Sequence, residues 1–363
     1  MSLAEILDAE IVVCAGSGGV GKTTISAAVA LEGARRGRKT IVLTIDPARR
    51  LGDSLGLKEL SSRPHRVPAA QFRRAGLEPA HLDAMMLDTK STFDELVHRY
   101  ARDEATADAI VANRFYQAIS VALSGTQEYM AMEKLYELAN EGRYDLIVID
   151  TPPTRHALDF LEAPKRLTSF LEGRLLKWFL LPAIGGGRGL FKAVNLAAVT
   201  FLRLVTKVVG AEVLKDTAEF FTSFEGMYDG FKRRAQEVFD LLRRDTTRFV
   251  IVTAPTEQAV KEALFFADTM NSYHLPFGGL VVNRIHPVFD GAGVRSTGAP
   301  LIDRLVQIAG EVDQMRAREE HSLERLQGTI DPGHWVRVPF LTREVADLSA
   351  LADIAQRIFV SPA

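Results

Sequence analysis

Six short apolar runs punctuate the chain: Ile11–Ala15, Thr40–Ile45, Leu146–Asp150, Phe249–Thr253, Gly279–Asn283 and Trp335–Val338. Each holds four to six residues, mostly rich in valine and isoleucine, with no strict alternation of apolar and polar positions. That pattern predicts strands buried on both faces, as in a parallel sheet. Ala84–Leu87 is a further candidate strand. Between several runs lie helical stretches such as Lys22–Arg35, rich in alanine with polar residues at helical spacing. Strands alternating with helices predict an α/β fold with a doubly wound, mostly parallel sheet.

The runs are unevenly spaced. From about Ser91 to Arg143 the pattern is helical, with Phe93, Leu96, Val97 and Tyr100 on one face. From Ala157 to Arg248 it is helical again and longer. Phe201, Leu202, Val205, Val208 and Val209 form one stripe there, and Phe220, Phe221, Phe224, Phe231 and Phe239 add aromatic bulk. Gly185–Gly187 is the strongest linker signal. The expected plan is a core of residues 1–90, 145–158 and 246–363, interrupted by a helical subdomain made from 91–144 and 159–245. Those helices pack into one lid, or they offer a surface to an apolar partner; the pattern alone allows both.

Composition narrows the classes. Of 363 residues, 47% are hydrophobic and 25% charged, with a formal net charge of −2. Nothing in that balance points to nucleic acid. One cysteine, Cys14, excludes an internal disulfide and a multi-thiol metal site. Its place in the first strand predicts a small buried hydrophobe. The eight histidines show no metal-ligand spacing. Met1–Glu10 lacks the basic and long apolar regions of a signal peptide. The apolar stretch Trp178–Gly187 is about half the length a membrane span needs. A soluble, cytoplasmic protein is expected.

One segment carries definite chemistry. Gly16-Ser17-Gly18-Gly19-Val20-Gly21-Lys22-Thr23 fits G-x-x-x-x-G-K-[ST] between a strand and a helix. Glycines allow backbone N–H groups to turn inward around phosphate oxygens. Lys22 would charge-pair with the β/γ-phosphates of ATP, and the Thr23 hydroxyl would bind Mg²⁺. The helix that follows points its positive end at the anion. Asp150 ends a strand, where the ligand crevice of such sheets lies, and is a second candidate for Mg²⁺. Asp46 also ends a strand and is placed either to orient an attacking water or to cap a turn. Asn283 ends a third, and its amide suits an adenine edge.

Together these segments resemble the ArsA family of ATPases, which includes arsenite-pump ATPases and targeting ATPases for tail-anchored membrane proteins. The matching residues are Ala15–Thr24 (AGSGGVGKTT), Thr44–Gly56 (TIDPARRLGDSLG), Asp150–Pro164 (DTPPTRHALDFLEAP), Val281–Arg284 (VVNR) and Val338–Val345 (VPFLTREV). The tracts Leu87–Val97, Ser124–Leu135 and Asp159–Leu167 are similar to actinobacterial-type members in particular. The resemblance implies a P-loop ATPase in which Asp46 positions water and Asp150 opens the second switch. It implies a nucleotide pocket lined by Gly16 to Thr24. Asn283, Arg284 and the loop from Pro339 and Phe340 to Val345 would surround adenine. It also implies a dimer that closes on ATP and moves the helical subdomain. The partners expected are a second copy or a related ATPase, with a protein client or a membrane-associated partner.

Two departures stand out. Where the family carries a second lysine one residue after its first glycine, reaching the partner's phosphates, this chain has Ser17. A hydroxyl cannot supply that charge. Arg49, Arg50 and Arg155 are candidate replacements. The lone Cys14 also cannot form the paired-thiol sites of the zinc-bridged or metalloid-binding members. Beside a switch ATPase, two alternatives stay open: an ATP-binding structural module with little hydrolysis, and a small-molecule P-loop kinase with Asp46 as base.

Overall fold

The computed structural model describes residues 3–46, 50–122, 126–152, 216–217, 219–220, 223, 227–287, 299–341 and 345–359. The predicted linker at Gly185–Gly187, the 201–209 stripe, Phe221, Phe224, Arg49 and Arg155 lie outside these residues.

Eight strands form one sheet: β1 (Ile11–Ala15), β2 (Thr40–Thr44), β3 (His65–Arg66), β4 (Leu82–Met86), β5 (Leu146–Asp150), β6 (Thr247–Thr253), β7 (Phe277–Ile285) and β8 (Trp335–Pro339). Their order is β3-β4-β2-β5-β1-β6-β7-β8. Every pairing is parallel except that of the two-residue edge strand β3 with β4. The apolar runs are buried along their whole length in β1, β2 and β5, as strands covered on both faces require. The chain therefore has the expected α/β fold with a doubly wound, mostly parallel sheet.

After β1 the chain crosses to β2 on one side, and after β5 it returns to β6 on the other. The C-terminal end of β1 thus sits where the winding changes direction, the place at which such sheets open a crevice. Helix α1 (Lys22–Arg35) follows β1 and is buried on nearly every side, between the sheet and the C-terminal helix. Its run of alanines and Gly33 permits that close approach.

By contacts, the chain divides into two units. The first, Met1–Leu87, Leu135–Asp159 and Asp240–Ala363, holds the sheet, α1, α2 (Arg50–Leu55) and α3 (Ala69–Arg74). The second comprises Asp88–Lys134 and Phe160–Phe239. It holds α4 (Thr89–Tyr100), α5 (Glu104–Ala112) and α6 (Arg114–Ala122), with most of α7 (Thr126–Glu141) and α8 (Tyr228–Leu242). The sheet unit continues through α9 (Glu257–Tyr273), α10 (Pro300–Gln327) and α11 (Leu348–Phe359).

The helical unit begins with two capped starts: Asp88 accepts from the Ser91 N–H at 3.0 Å and Asp103 from the Thr106 N–H at 2.8 Å. Its core is aromatic. Phe231 meets Phe93, Tyr100 and Tyr129 at centroid distances of 6.3, 5.5 and 6.1 Å, and Phe93 meets Tyr116 at 5.2 Å. Glu133 is buried among these rings, with the Tyr129 hydroxyl at 2.9 Å and the Arg234 guanidinium at 3.2 Å.

Candidate functional site

The loop Gly16–Thr23 joins the end of β1 to the start of α1. Gly16 runs beside β6 so closely that any Cβ would collide with the Val252 carbonyl oxygen. Gly21 caps α1 in the left-handed region, at φ 95°, and a Cβ there would strike the Asn283 amide. These two positions fix the loop close to the sheet while its backbone turns toward the crevice.

Lys22 is the first residue of α1, and its side chain folds back over the loop. Its ammonium donates to the carbonyl oxygens of Gly16 at 2.9 Å and Ser17 at 2.8 Å. Burial lowers its pKa, while the nearby carboxylates of Asp150 and Asp46 oppose that shift. Ser17 itself is largely buried.

Asp150 ends β5, directly beside Thr44 of β2 and Cys14 of β1 in the register. Its Oδ2 accepts from the Thr44 hydroxyl at 2.8 Å, and Oδ1 is buried with no hydrogen-bond partner. Burial pushes this carboxyl up to about 6, against the pull of the Thr23 and Thr44 hydroxyls and the Lys22 charge. A buried carboxylate oxygen left unpartnered beside a second oxygen ligand, Thr23, fits a hard cation such as Mg²⁺. Asp46 stands two residues beyond Thr44, half-buried, with its N–H on the Thr44 hydroxyl at 3.2 Å. Thr44 therefore organises both acids.

A cleft of about 690 Å³ brings most of these groups together. Its walls include Lys22, Thr23, Asp46, Arg50, Asn283 and Phe340. Gly19, Gly21, Thr24, Arg284 and Pro339 also line it. A second cleft, about 620 Å³, lies along Ser17, Gly18, Gly19 and Val20 and also reaches Arg284 and Phe340. Gly16 and Asp150 are absent from both walls, and Asp150 is buried. Of the candidate replacement cations, Arg50 is described, and it is exposed at the cleft.

Asn283 has a task the sequence did not reveal. Its amide N–H donates to the Val20 carbonyl at 2.8 Å, and its Oδ1 accepts from the Arg284 N–H at 3.0 Å. It pins the phosphate loop to β7. Arg284 takes φ 63°, a left-handed conformation uncommon outside glycine. Phe340 is 52% exposed and stacks on the His286 ring, with centroids 5.8 Å apart and planes 3° from parallel. Glu319 holds His286 twice, from its ring at 2.5 Å and its backbone N–H at 3.1 Å. Thr44 opens the tract Thr44–Gly56, but its bond to Asp150 comes from the strand register; His286 and Glu319 carry no motif and meet at the second cleft through the return of α10.

Cys14 is fully buried, and burial pushes its thiol up to about 12. In the helical unit, His98, Glu104 and Asp108 bring ligand atoms within 4.8 Å of one another, but all three are exposed. Among the described residues, no helix is long and apolar enough to cross a membrane.

The chain matches the family described as anion-transporting ATPase over residues 9–360. It belongs to the ArsA ATPase family. It is accordingly an ATPase, built on the P-loop that the cleft surrounds. It is 24% identical over 360 residues to a putative arsenical pump-driving ATPase 1 of Aquifex aeolicus, covering 96% of this chain and 78% of that one. It is 24% identical over 355 residues to ATPase get3 of Botryotinia fuckeliana, covering 96% and 90%. With ATPase ASNA1 homolog 1 of Paramecium tetraurelia it shares 26% over 279 residues, 74% of this chain and 73% of that one.

Proposed function

We propose that this ArsA-family chain is a Mg²⁺-dependent ATP switch, and that nucleotide closes a dimer and rearranges the helical unit around a client or partner. The carrying observation is the buried, unpartnered Oδ1 of Asp150 beside Thr23 and Lys22. A fold does not leave a carboxylate oxygen desolvated and unanswered without cost. A cation held by Thr23 and Asp150 removes that cost and neutralises phosphate charge. Lys22, now on two loop carbonyls, exchanges them for phosphate oxygens, and the loop N–H groups with the α1 N-terminus complete the cradle. Asp46 orients the attacking water. Adenine lies against Arg284, Pro339 and Phe340, with Asn283 using the amide hydrogen that Val20 does not take.

The dimer is either of two like chains or of this chain with a related ATPase. Ser17 bears on that choice, because two phosphate clusters facing each other across a closing interface repel unless a cation intervenes. Arg50, exposed at the cleft, is one such cation. Ser17→Lys should strengthen ATP-dependent dimerisation. Ser17 also favours a second reading, a module that binds ATP and turns it over slowly. The helical unit would then respond to binding alone.

Release of ADP and phosphate from purified protein with Mg–ATP and no added acceptor tests the first reading, with chelator as the control. Turnover that needs Mg²⁺ and no acceptor supports the switch. Single-turnover decay too slow to follow supports the binding module, and turnover only with a small-molecule acceptor supports a kinase.

A further inference from the structure

We infer, building on the adenine placement proposed above, that His286 and Glu319 are positioning residues that set the ring of Phe340 as the platform on which the base of ATP stacks. β7 and β8 run parallel, with Ile285 beside Pro339 in the register. The next residue along each strand, His286 and Phe340, therefore leaves the end of the sheet beside the other. The Phe340 N–H donates to the Ile285 carbonyl at 2.7 Å, which carries the pairing one step past the strands. The two rings then lie as a parallel stack, with planes 3° apart and centroids at 5.8 Å.

His286 is held at three points. Glu319 of α10, itself largely buried, accepts from the His286 ring Nδ1 at 2.5 Å and from its backbone N–H at 3.1 Å. Arg316, one turn earlier on α10, donates to the His286 carbonyl oxygen at 2.6 Å. Arg316 also holds Glu320 at 3.0 Å, and Glu320 accepts from Arg337 of β8 at 2.7 Å. One turn of α10 thus clamps the ends of both strands. Bonds to charged groups are the stronger kind, yet the ring that this clamp backs, Phe340, stays 52% exposed. A purely structural stack would have buried it. Phe340 lines both clefts, whereas His286 and Glu319 line the second alone. The ring therefore stands between the clefts, backed by His286 on one side and open toward Lys22, Arg284 and Pro339 on the other.

A base gains most from an aromatic face that is already in place, because ordering a free side chain on binding costs rotamer entropy. His286 restricts the orientations open to Phe340, and Glu319 keeps His286 from turning with it. Stacking reads the π-face of the base and not the phosphates. The pair therefore acts on the nucleoside end of the ligand, through Phe340, and leaves the grip on the phosphates to Lys22 and the loop.

Calorimetric titration with Mg–ATP and with Mg–tripolyphosphate, which carries the phosphates without a base, supplies the test. Phe340→Ala should weaken ATP binding by about tenfold, the typical worth of one base on one ring. His286→Ala and Glu319→Gln should each weaken it by about threefold or more. His286→Phe, which keeps a ring behind Phe340, should stay within about twofold of wild type. Tripolyphosphate affinity should move by less than about twofold in all of them. A Phe340→Trp chain adds a direct signal of stacking. Etheno-ATP should lose emission on binding to it, and adding His286→Ala should remove most of that quench. Melting curves that match wild type keep loss of fold out of the comparison. Should Phe340→Ala bind ATP as wild type does, the adenine placement and the positioning role fall together. Should Phe340→Ala weaken ATP while His286→Ala and Glu319→Gln do not, or should the quench survive His286→Ala, the placement stands and the positioning role falls. Equal losses for ATP and tripolyphosphate would also overturn it, because the pair would then be shaping the phosphate loop.

Discussion

Two buried carboxylates, one in each unit, each have one oxygen on a hydroxyl and the other without a hydrogen bond, and they differ in the cation that faces them. In the sheet unit, Asp150 receives the Thr44 hydroxyl on one oxygen and leaves the other unanswered. In the helical unit, Glu133 takes the Tyr129 hydroxyl on Oε1, and its Oε2, also without a hydrogen bond, is charge-paired with the Arg234 guanidinium at 3.2 Å. Burial raises both, to about 6 and about 7. The shift therefore does not tell a site from a scaffold. The neighbours do: Glu133 is charge-paired with a guanidinium of its own unit, whereas Asp150 lies buried beside Lys22 and Thr23 of the phosphate loop, the setting on which the proposed cation site rests.

That contrast can be broken at either end. Phe231→Ala removes the ring that touches Phe93, Tyr100 and Tyr129, and should cost the helical unit about 3–5 kcal/mol. Thermal unfolding would register the loss, while ATP affinity of the folded protein stays within about twofold. A large fall in affinity would show that the helical core also builds the nucleotide site.

At the cleft, Asp46→Asn keeps the size of the side chain and loses its charge. Turnover should fall by about 10²–10³ with ATP affinity nearly unchanged. An unaltered kcat takes Asp46 out of the chemistry. Asn283→Ala leaves the Val20 carbonyl without its partner, at a cost of roughly 1–3 kcal/mol, and titration calorimetry should see that as weaker ATP binding. Affinity equal to wild type would mean that the pin does not shape the loop.

A smaller effect concerns pH. Glu133 keeps its proton in the folded state up to about 7, against 4.5 as its ordinary value. Over that window the folded chain holds more protons than the unfolded one, so this group's contribution to stability falls as pH rises. Melting temperatures should drop by on the order of a few degrees between the two values, and Glu133→Gln should flatten the slope. A wild-type slope that survives the substitution assigns it elsewhere. The smallest expected effect is none: arsenite should not stimulate hydrolysis, because the lone thiol is sealed in β1. Stimulation that persists in Cys14→Ser would reveal a site without thiols.

Much of the cleft was readable from the chain because it is contiguous. Gly16 to Thr23 is one segment between a strand and a helix, and Asp46, Asp150 and Asn283 each lie at or just past an apolar run's end. The strands were readable for the same reason, to within a residue or two. What could not be read depends on pairing across long separations. Thr44 meets Asp150 because β2 lies beside β5, 106 residues away, and no local pattern states that neighbourhood. Asn283 was read as facing adenine, and its bond to Val20 spans 263 residues. The two-residue strand β3 is too short to show any period. The apolar spacing of α10 is visible in the letters, but a buried stripe and an exposed one are spelled alike, and only the fold shows that Leu301, Leu305, Ile308 and Met315 are exposed.

The central claim is that the loop from Gly16 to Thr23 holds the phosphates of ATP with Lys22 as its fixed charge. Calorimetric titration of wild type and Lys22→Ala with ATP and Mg²⁺ tests it most directly. The account predicts that the variant loses at least about a hundredfold in affinity, roughly 2.7 kcal/mol. A variant that binds within about twofold of wild type would contradict it.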